Sequence, residues 1–190
     1  MSVSGFITLA VIVVLVGYGV ALYNSLVSLK HSVSKAWSNI DVLLKQRHDE
    51  LPKLVETCKQ YMKHEQETFE KVMQARSGVS SALGKSDVAA LGQAETKMRQ
   101  GLMNLFAVAE AYPDLKANDS FQELQNRISQ LENNIADRRE FYNESVNLNN
   151  VRIEQFPDLL IAKFFSFKSF DLLEFEESEI VDVSVKKLFE

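Results

Sequence analysis

The apolar residues of this chain are spread unevenly. Lys30 is the first charged side chain, and Val3 to Tyr23 reads VSGFITLAVIVVLVGYGVALY. A run of about 20 apolar residues, rising about 1.5 Å each, crosses a hydrocarbon core of roughly 30 Å. Tyr18 and Tyr23 sit near one end, where an amphipathic ring suits the headgroup zone. A cleaved signal peptide needs a basic leader and a shorter apolar run. Nothing basic precedes Phe6, so the pattern predicts a transmembrane helix. Lys30 and Lys35 follow the span closely, which places the short N-terminal tail outside and the large domain in the cytoplasm.

Beyond the span the apolar positions recur at three and four, the period of one helical face. Val33, Trp37, Ile40 and Leu44 continue the membrane helix into a first soluble helix reaching about Gln46. Asp49 and Pro52 mark a restart, because Asp caps helix N-termini and Pro is tolerated in a first turn. A second helix then carries Leu51, Leu54, Val55, Cys58, Tyr61, Phe69, Val72 and Met73, and ends in the serine-containing stretch from Gly78 to Gly84. Ser86-Asp87 opens a third, with Val88, Leu91, Met98, Leu102, Leu105, Val108 and Tyr112 on its face. Gly92 and Gly101 weaken it by about 1 kcal/mol each against Ala, and permit close helix contact. Pro113 stops it. A capping box of Ser120 and Glu123 opens the fourth, which carries Phe121, Leu124, Ile128, Leu131, Ile135, Tyr142, Val146 and Ile153 and ends at Pro157. The expected fold is all-α: an N-terminal transmembrane helix continuous with an antiparallel four-helix bundle of long helices, plus a short aromatic C-terminal extension. The expected boundaries are 1–24 for tail and span, 25–157 for the bundle and 158–190 for the extension.

The extension differs in character. It carries Phe164, Phe165, Phe167, Phe170 and Phe175, then Glu176, Glu177 and Glu179, then a short β-like run at Ile180, Val181, Val183 and Val185. A fourth helix of about 36 residues (~54 Å) outreaches a first soluble helix of about 24 (~36 Å), so it returns to the bilayer surface. Pro157 would release the chain there. Phe164, Phe165, Phe167 and Phe170 are therefore candidate membrane-interface residues, packing against lipid or against the base of helix one.

Composition narrows the function. Of 190 residues, 46% are hydrophobic and 25% charged, too apolar for a disordered chain. Its formal charge of -5 lacks the basic footprint of a nucleic-acid binder, so no nucleic acid is expected. One cysteine excludes an intramolecular disulfide scaffold and a Cys-rich zinc module.

The helical bundle invites a di-iron test, which needs Glu-x-x-His on two helices. The residues three before His31, His48 and His64 are Ser28, Lys45 and Tyr61, so that motif is absent. His64-Glu65 lacks the second histidine of a zinc protease helix. Phosphate-cradling glycine loops and a nucleophile elbow are missing as well. Cys58 lies on an apolar face and reads as a buried structural thiol, while Trp37 reads as a core anchor. No metal, cofactor or catalytic residue is expected, and the chain reads as a non-enzyme.

One segment echoes another. Tyr23-Asn24-Ser25-Leu26-Val27-Ser28-Leu29 shares Tyr, Asn, Val and Leu in place with Tyr142-Asn143-Glu144-Ser145-Val146-Asn147-Leu148. In an up-down bundle both would lie near the membrane and face each other, with Asn24 and Asn143 fixing the register.

These residues resemble the LemA family of bacterial membrane proteins. The likeness runs from Tyr23 to about Phe167. Its blocks are YNSLVSLKHSVSKAWSNIDVLLKQRHDELPKLVETCKQYMKHE (23–65), AYPDLKANDSFQELQNRISQLENNIADRREFYN (111–143) and the Phe156-Pro157 ending. The resemblance implies a single N-terminal span in the bacterial inner membrane, an external N-terminus and a four-helix bundle. It implies no activity. Positions matching the family's polar motif are Asn24, Asp41, Arg47, His48, Asp49, Glu56, His64 and Glu65. Lys30 stands where arginine is usual and Leu148 where tyrosine is common.

Arg47, His48 and Asp49 are expected at the turn between helices one and two, where capping and dipole pairing explain them better than a ligand does. Asp41, beside the Trp37/Ile40/Leu44 stripe, is expected to pair with Arg138 or Arg139. The leading functional expectation is a membrane-anchored scaffold with a protein partner or a second copy, anchored in lipid through residues 3–23. A ligand sensor or enzyme with a polar site at Asp41, Arg47, His48, His64 and Glu65 is the alternative, and requires those side chains to converge. A membrane-remodelling factor using the Phe-rich tail is a further one.

Overall fold

The computed structural model describes residues 3–85 and 87–174. Among them all regular secondary structure is helical: α1 (Val3–Lys59), α2 (Gln66–Lys85), α3 (Val88–Ala109), α4 (Pro113–Lys116), α5 (Asp119–Glu154) and α6 (Asp158–Phe164). Ser86, Phe175 and the acidic and β-like segments after it lie outside the described residues. The chain divides into two compact units, with the division falling inside α1 and α5.

The unit that holds Asp41–Asp137 and, among the described residues after them, Leu173 and Glu174 is a four-helix bundle. α2 and α3 are an antiparallel hairpin, in which Gly78 lies opposite Ala94 and Gly101 opposite Val72. A Cβ on Gly101 would meet Val72 at ordinary contact distance, so the close approach expected of this glycine is present. Gly92 serves another purpose. A Cβ there would fall 2.5 Å from the carbonyl oxygen of Glu174, so glycine lets the C-terminal segment lie against α3. Asp87 caps α3 by accepting from the Ala90 N–H at 2.9 Å. The fourth long helix starts two residues earlier than its sequence pattern suggests. Asn118, not Ser120, is its cap, and Oδ1 accepts from the Phe121 N–H at 2.9 Å.

The expected restart at Asp49 does not occur. α1 continues through Pro52 to Lys59, and the chain turns at 60–65 instead. Proline has no N–H, so it strands the carbonyl four residues earlier, here that of His48. The Arg76 Nε from α2 donates to that oxygen at 2.9 Å. A tertiary contact thus supplies the bond the helix cannot make. Arg47, His48 and Asp49 consequently occupy helix interior.

The other unit joins the chain up to Ile40 with Arg138–Leu172. Here α1 and α5 run antiparallel. Leu26 packs with Ile153 and Ala162, and the half-buried Trp37 meets Tyr142 at a ring distance of 5.4 Å. This register corrects the expected facing of the two echo segments. Trp37 faces Tyr142, which places Tyr142 about 14 helical positions, ~21 Å, from the level of Tyr23. Asn24 is exposed.

α6 ends in a Schellman motif. The Phe167 N–H donates to Ala162 O at 2.9 Å and the Ser166 N–H to Lys163 O at 3.3 Å. Ser166 occupies the left-handed position, with φ of 57°. The reversal seats Phe167 against the Leu26, Ile153 and Ala162 cluster.

Arg76→Met should destabilise the full-length chain in detergent by about 1 kcal/mol, the low end of the cost of an unsatisfied acceptor because this carbonyl is only partly buried. In a Pro52→Ala background the residue-52 N–H is free to bond His48 O, and the same change should cost clearly less. Equal costs in the two backgrounds, read from denaturation curves, would refute the compensation.

Candidate functional site

Two constellations stand out, one in each unit. The first is a buried ion cluster in the four-helix bundle. Arg47 lies on the core stripe of α1, between Leu44 and Leu51, and its side chain is 1% exposed. Its Nη2 lies 2.5 Å from Glu95 Oε1 of α3, and its Nη1 2.6 Å from Glu132 Oε1 of α5. Burial alone would lower the guanidinium's pKa. Glu95 and then Glu132 outweigh it, and the net direction is upward. One turn along, the buried Glu50 meets Arg127 at 3.1 Å and Lys53 at 3.3 Å. The cluster ties α1, α3 and α5 together. Its charges are already matched to one another, which favours a structural lock over a reacting centre.

The second is an aromatic hook in the other unit. Tyr23, at the end of the apolar run, meets Phe165 at 4.7 Å and Phe167 at 5.9 Å between ring centroids. Phe164 meets Phe165 at 4.9 Å. The chain after the hook runs back along α5, held by side-chain amides. Asn150 Oδ1 accepts from the Phe170 N–H at 3.0 Å, and its Nδ2 donates to Phe170 O at 2.9 Å. Asn149, buried, donates to Lys168 O at 3.4 Å. The Tyr142 hydroxyl donates to Asp171 O at 3.0 Å. Phe165 and Phe167 therefore pack against Tyr23 of helix one, while Phe164 stays exposed.

With this geometry in view, comparison with known proteins is decisive on family. Residues 36–186 match the model of the LemA family. The chain belongs to the LemA family. It is 28% identical to protein LemA of Metamycoplasma hominis, over 87% of this chain and 74% of that protein. It is also 23% identical to magnetosome protein MamQ 2 of Paramagnetospirillum magneticum, over 88% of this chain and 70% of that protein.

The apolar end of α1 fits this membership. It is long and apolar enough to cross a membrane, and almost none of that stretch is buried against the other described residues. With the family membership, this supports the reading of the chain as a membrane protein.

The structure disperses the other sequence candidates. Asp41 pairs with Lys45 at 2.6 Å, one turn along α1, in place of the expected arginine of α5. His48 is half-buried, and its pKa is lowered by burial and by Arg76. Asp49, Glu56 and His64 are exposed. Glu65, in the turn after α1, accepts from the Tyr112 hydroxyl at 3.1 Å. Asn143 is half-buried on α5. Among the described residues no three His, Cys, Asp or Glu side chains come together to hold a metal ion. Cys58 is fully buried and its thiol is pushed up to about 12, so it is not a thiolate at neutral pH. An open groove of about 660 Å³ between α2 and α3 is lined by Lys71, Gln74, Gln93, Lys97, Gln100 and Asn104 among others, none of them a sequence candidate.

Sequence reasoning missed Glu95, Glu132, Asn149 and Asn150. Glu95 had a visible signal: it falls between Leu91 and Met98 on the apolar face of its helix.

Arg47→Met should cost about 3–5 kcal/mol, because two carboxylates lose a buried counter-charge. Adding Glu95→Leu and Glu132→Leu should recover most of that loss. Thermal melts of the single and triple variants test this, and a triple variant as unstable as the single one would contradict it.

Proposed function

We propose that this chain is a single-pass scaffold of the bacterial inner membrane. Residues 3–23 cross the bilayer, the N-terminus lies outside, and the helical bundle offers a binding surface to proteins in the cytoplasm. The observation that carries the reading is the closure of the bundle's polar interior. Arg47 is matched by Glu95 and Glu132, Cys58 is buried as a neutral thiol, and the remaining motif residues are spread over separate surfaces. Catalysis and ligand capture favour convergent polar groups in a concave site. Here the polar groups lock helices together. The names of the relatives state no reaction. The orientation rests on Lys30 and Lys35 following the span.

The surface offered to a partner is the face of α2 and α3. Its groove presents amides and two lysines over small residues such as Ala75, Gly78, Ala94 and Gly101. Such a lining accepts a polar helix or an extended segment through hydrogen bonds.

Site-specific photo-crosslinking in living cells tests the reading, with a photo-reactive residue replacing exposed Gln93 in the groove. A discrete protein adduct, or a dimer of this chain, is the expected product. Membrane-located protein that yields no protein adduct from Gln93 would count against a scaffold. In a Cys58→Ser background, Gln46→Cys should resist an impermeant thiol reagent in intact cells. It should react once the membrane is opened, and labelling of intact cells would reverse the orientation.

A further inference from the structure

Among the described residues outside the span, four of the ten exposed large apolar side chains fall within the ten residues 156–165, including the two most exposed. Phe156, Leu160, Phe164 and Phe165 are all exposed, Phe164 by 80%. They belong to α6 and its flanks. α6 is two-sided: Asp158 and Ala162 are buried, while Leu160 and Phe164, four residues apart, point outward. Its charges are sorted in the same way. The Asp158 carboxylate is turned inward onto Arg152 Nε at 2.8 Å, and Lys163 is exposed.

We propose that α6 and the aromatic turn after it form a second lipid contact, a foot that inserts Phe156, Leu160, Phe164 and Phe165 into the headgroup–acyl boundary beside the span. The proposal rests on the reading that residues 3–23 cross a bilayer. Continuity identifies the occupant. Tyr23 closes the apolar helix and touches Phe165, and Phe165 touches Phe164. Lipid that covers the exposed Tyr18 and Val20 and extends to Tyr23 arrives at the same rings. The chemistry matches this depth. Rings and a leucine enter the apolar boundary, and Lys163 and the exposed Lys168 meet anionic headgroups. The geometry is also fixed. The Schellman turn at Ser166 and the pair of hydrogen bonds between the Asn150 amide and the Phe170 backbone hold the hook on the α1–α5 pair. A foot held rigidly against the helix fixes how deep the span sits and how it is rotated, which a lone apolar helix does not.

The single tryptophan makes the test direct. In a Trp37→Phe background of the full-length chain, tryptophan is introduced as Phe164→Trp, Val13→Trp or Phe141→Trp. Each variant is reconstituted into phosphatidylcholine–phosphatidylglycerol vesicles whose lipids carry bromine at shallow or deep acyl positions. Phe164→Trp should be quenched severalfold more by shallow bromine than Phe141→Trp, which lies 13 residues before the end of α5, ~20 Å away along the helix. Val13→Trp should respond most to deep bromine. Quenching of Val13→Trp with Phe164→Trp no more quenched than Phe141→Trp overturns the foot and leaves the span standing. No quenching at Val13→Trp removes the span and the foot together.

Discussion

A proline inside a helix leaves a carbonyl without its donor, and the helix normally bends or ends there. In this chain the donor comes from elsewhere, because the Arg76 Nε reaches His48 O from α2. Much else follows from that substitution. α1 continues for two further turns, so Leu51, Leu54, Val55 and Cys58 join the same buried face as Leu44. Arg47 is then committed to the core, where a cation must have counter-charges. Glu95 and Glu132 provide them from two other helices. A single unmade backbone bond thus links helix continuity to the charge pattern of the bundle interior.

The two units solve different problems. The bundle from 41 to 137 joins apolar packing to a matched ion cluster. A cluster of this kind adds little net stability over an apolar core, but it penalises any arrangement that separates its members. The α1–α5 pair of the other unit is only two helices wide and cannot enclose a core alone. α6, the hook and the extended chain after it supply the missing side, held by Asn149, Asn150 and the Tyr142 hydroxyl. The apolar end of α1 gets almost no such cover from the described residues.

The all-α class, the long apolar helix and most core positions were legible because they depend on periodicity and length. Val33, Ile40, Leu102 and Ile135 are buried where a period near 3.6 places them. The turn between the first two soluble helices was not legible. Asp followed by Pro reads equally as a helix start and as helix interior, and the deciding contact comes from Arg76, far along the chain. Misplacing that turn hid Arg47, which lies on the core stripe only if the helix is unbroken. The hook was illegible for a related reason. Its left-handed residue is Ser166, where glycine would have announced the turn. A signal for the clamp did exist: Asn147, Asn149 and Asn150 crowd the end of α5, although asparagine is a poor helix former. The polar positions that the LemA resemblance singled out resolve into one buried cation, Arg47, and side chains that are half-buried or exposed.

The account turns on the unbroken passage of α1 through 46–58. Amide hydrogen exchange of the full-length chain in lipid vesicles measures this residue by residue. Slow exchange at the amides from Gln46 to Cys58, with protection around Asp49 comparable to that at Leu44, is the predicted result. Fast exchange confined to His48–Lys53, flanked by protected segments, would show a turn there and contradict both the continuous helix and the core placement of Arg47.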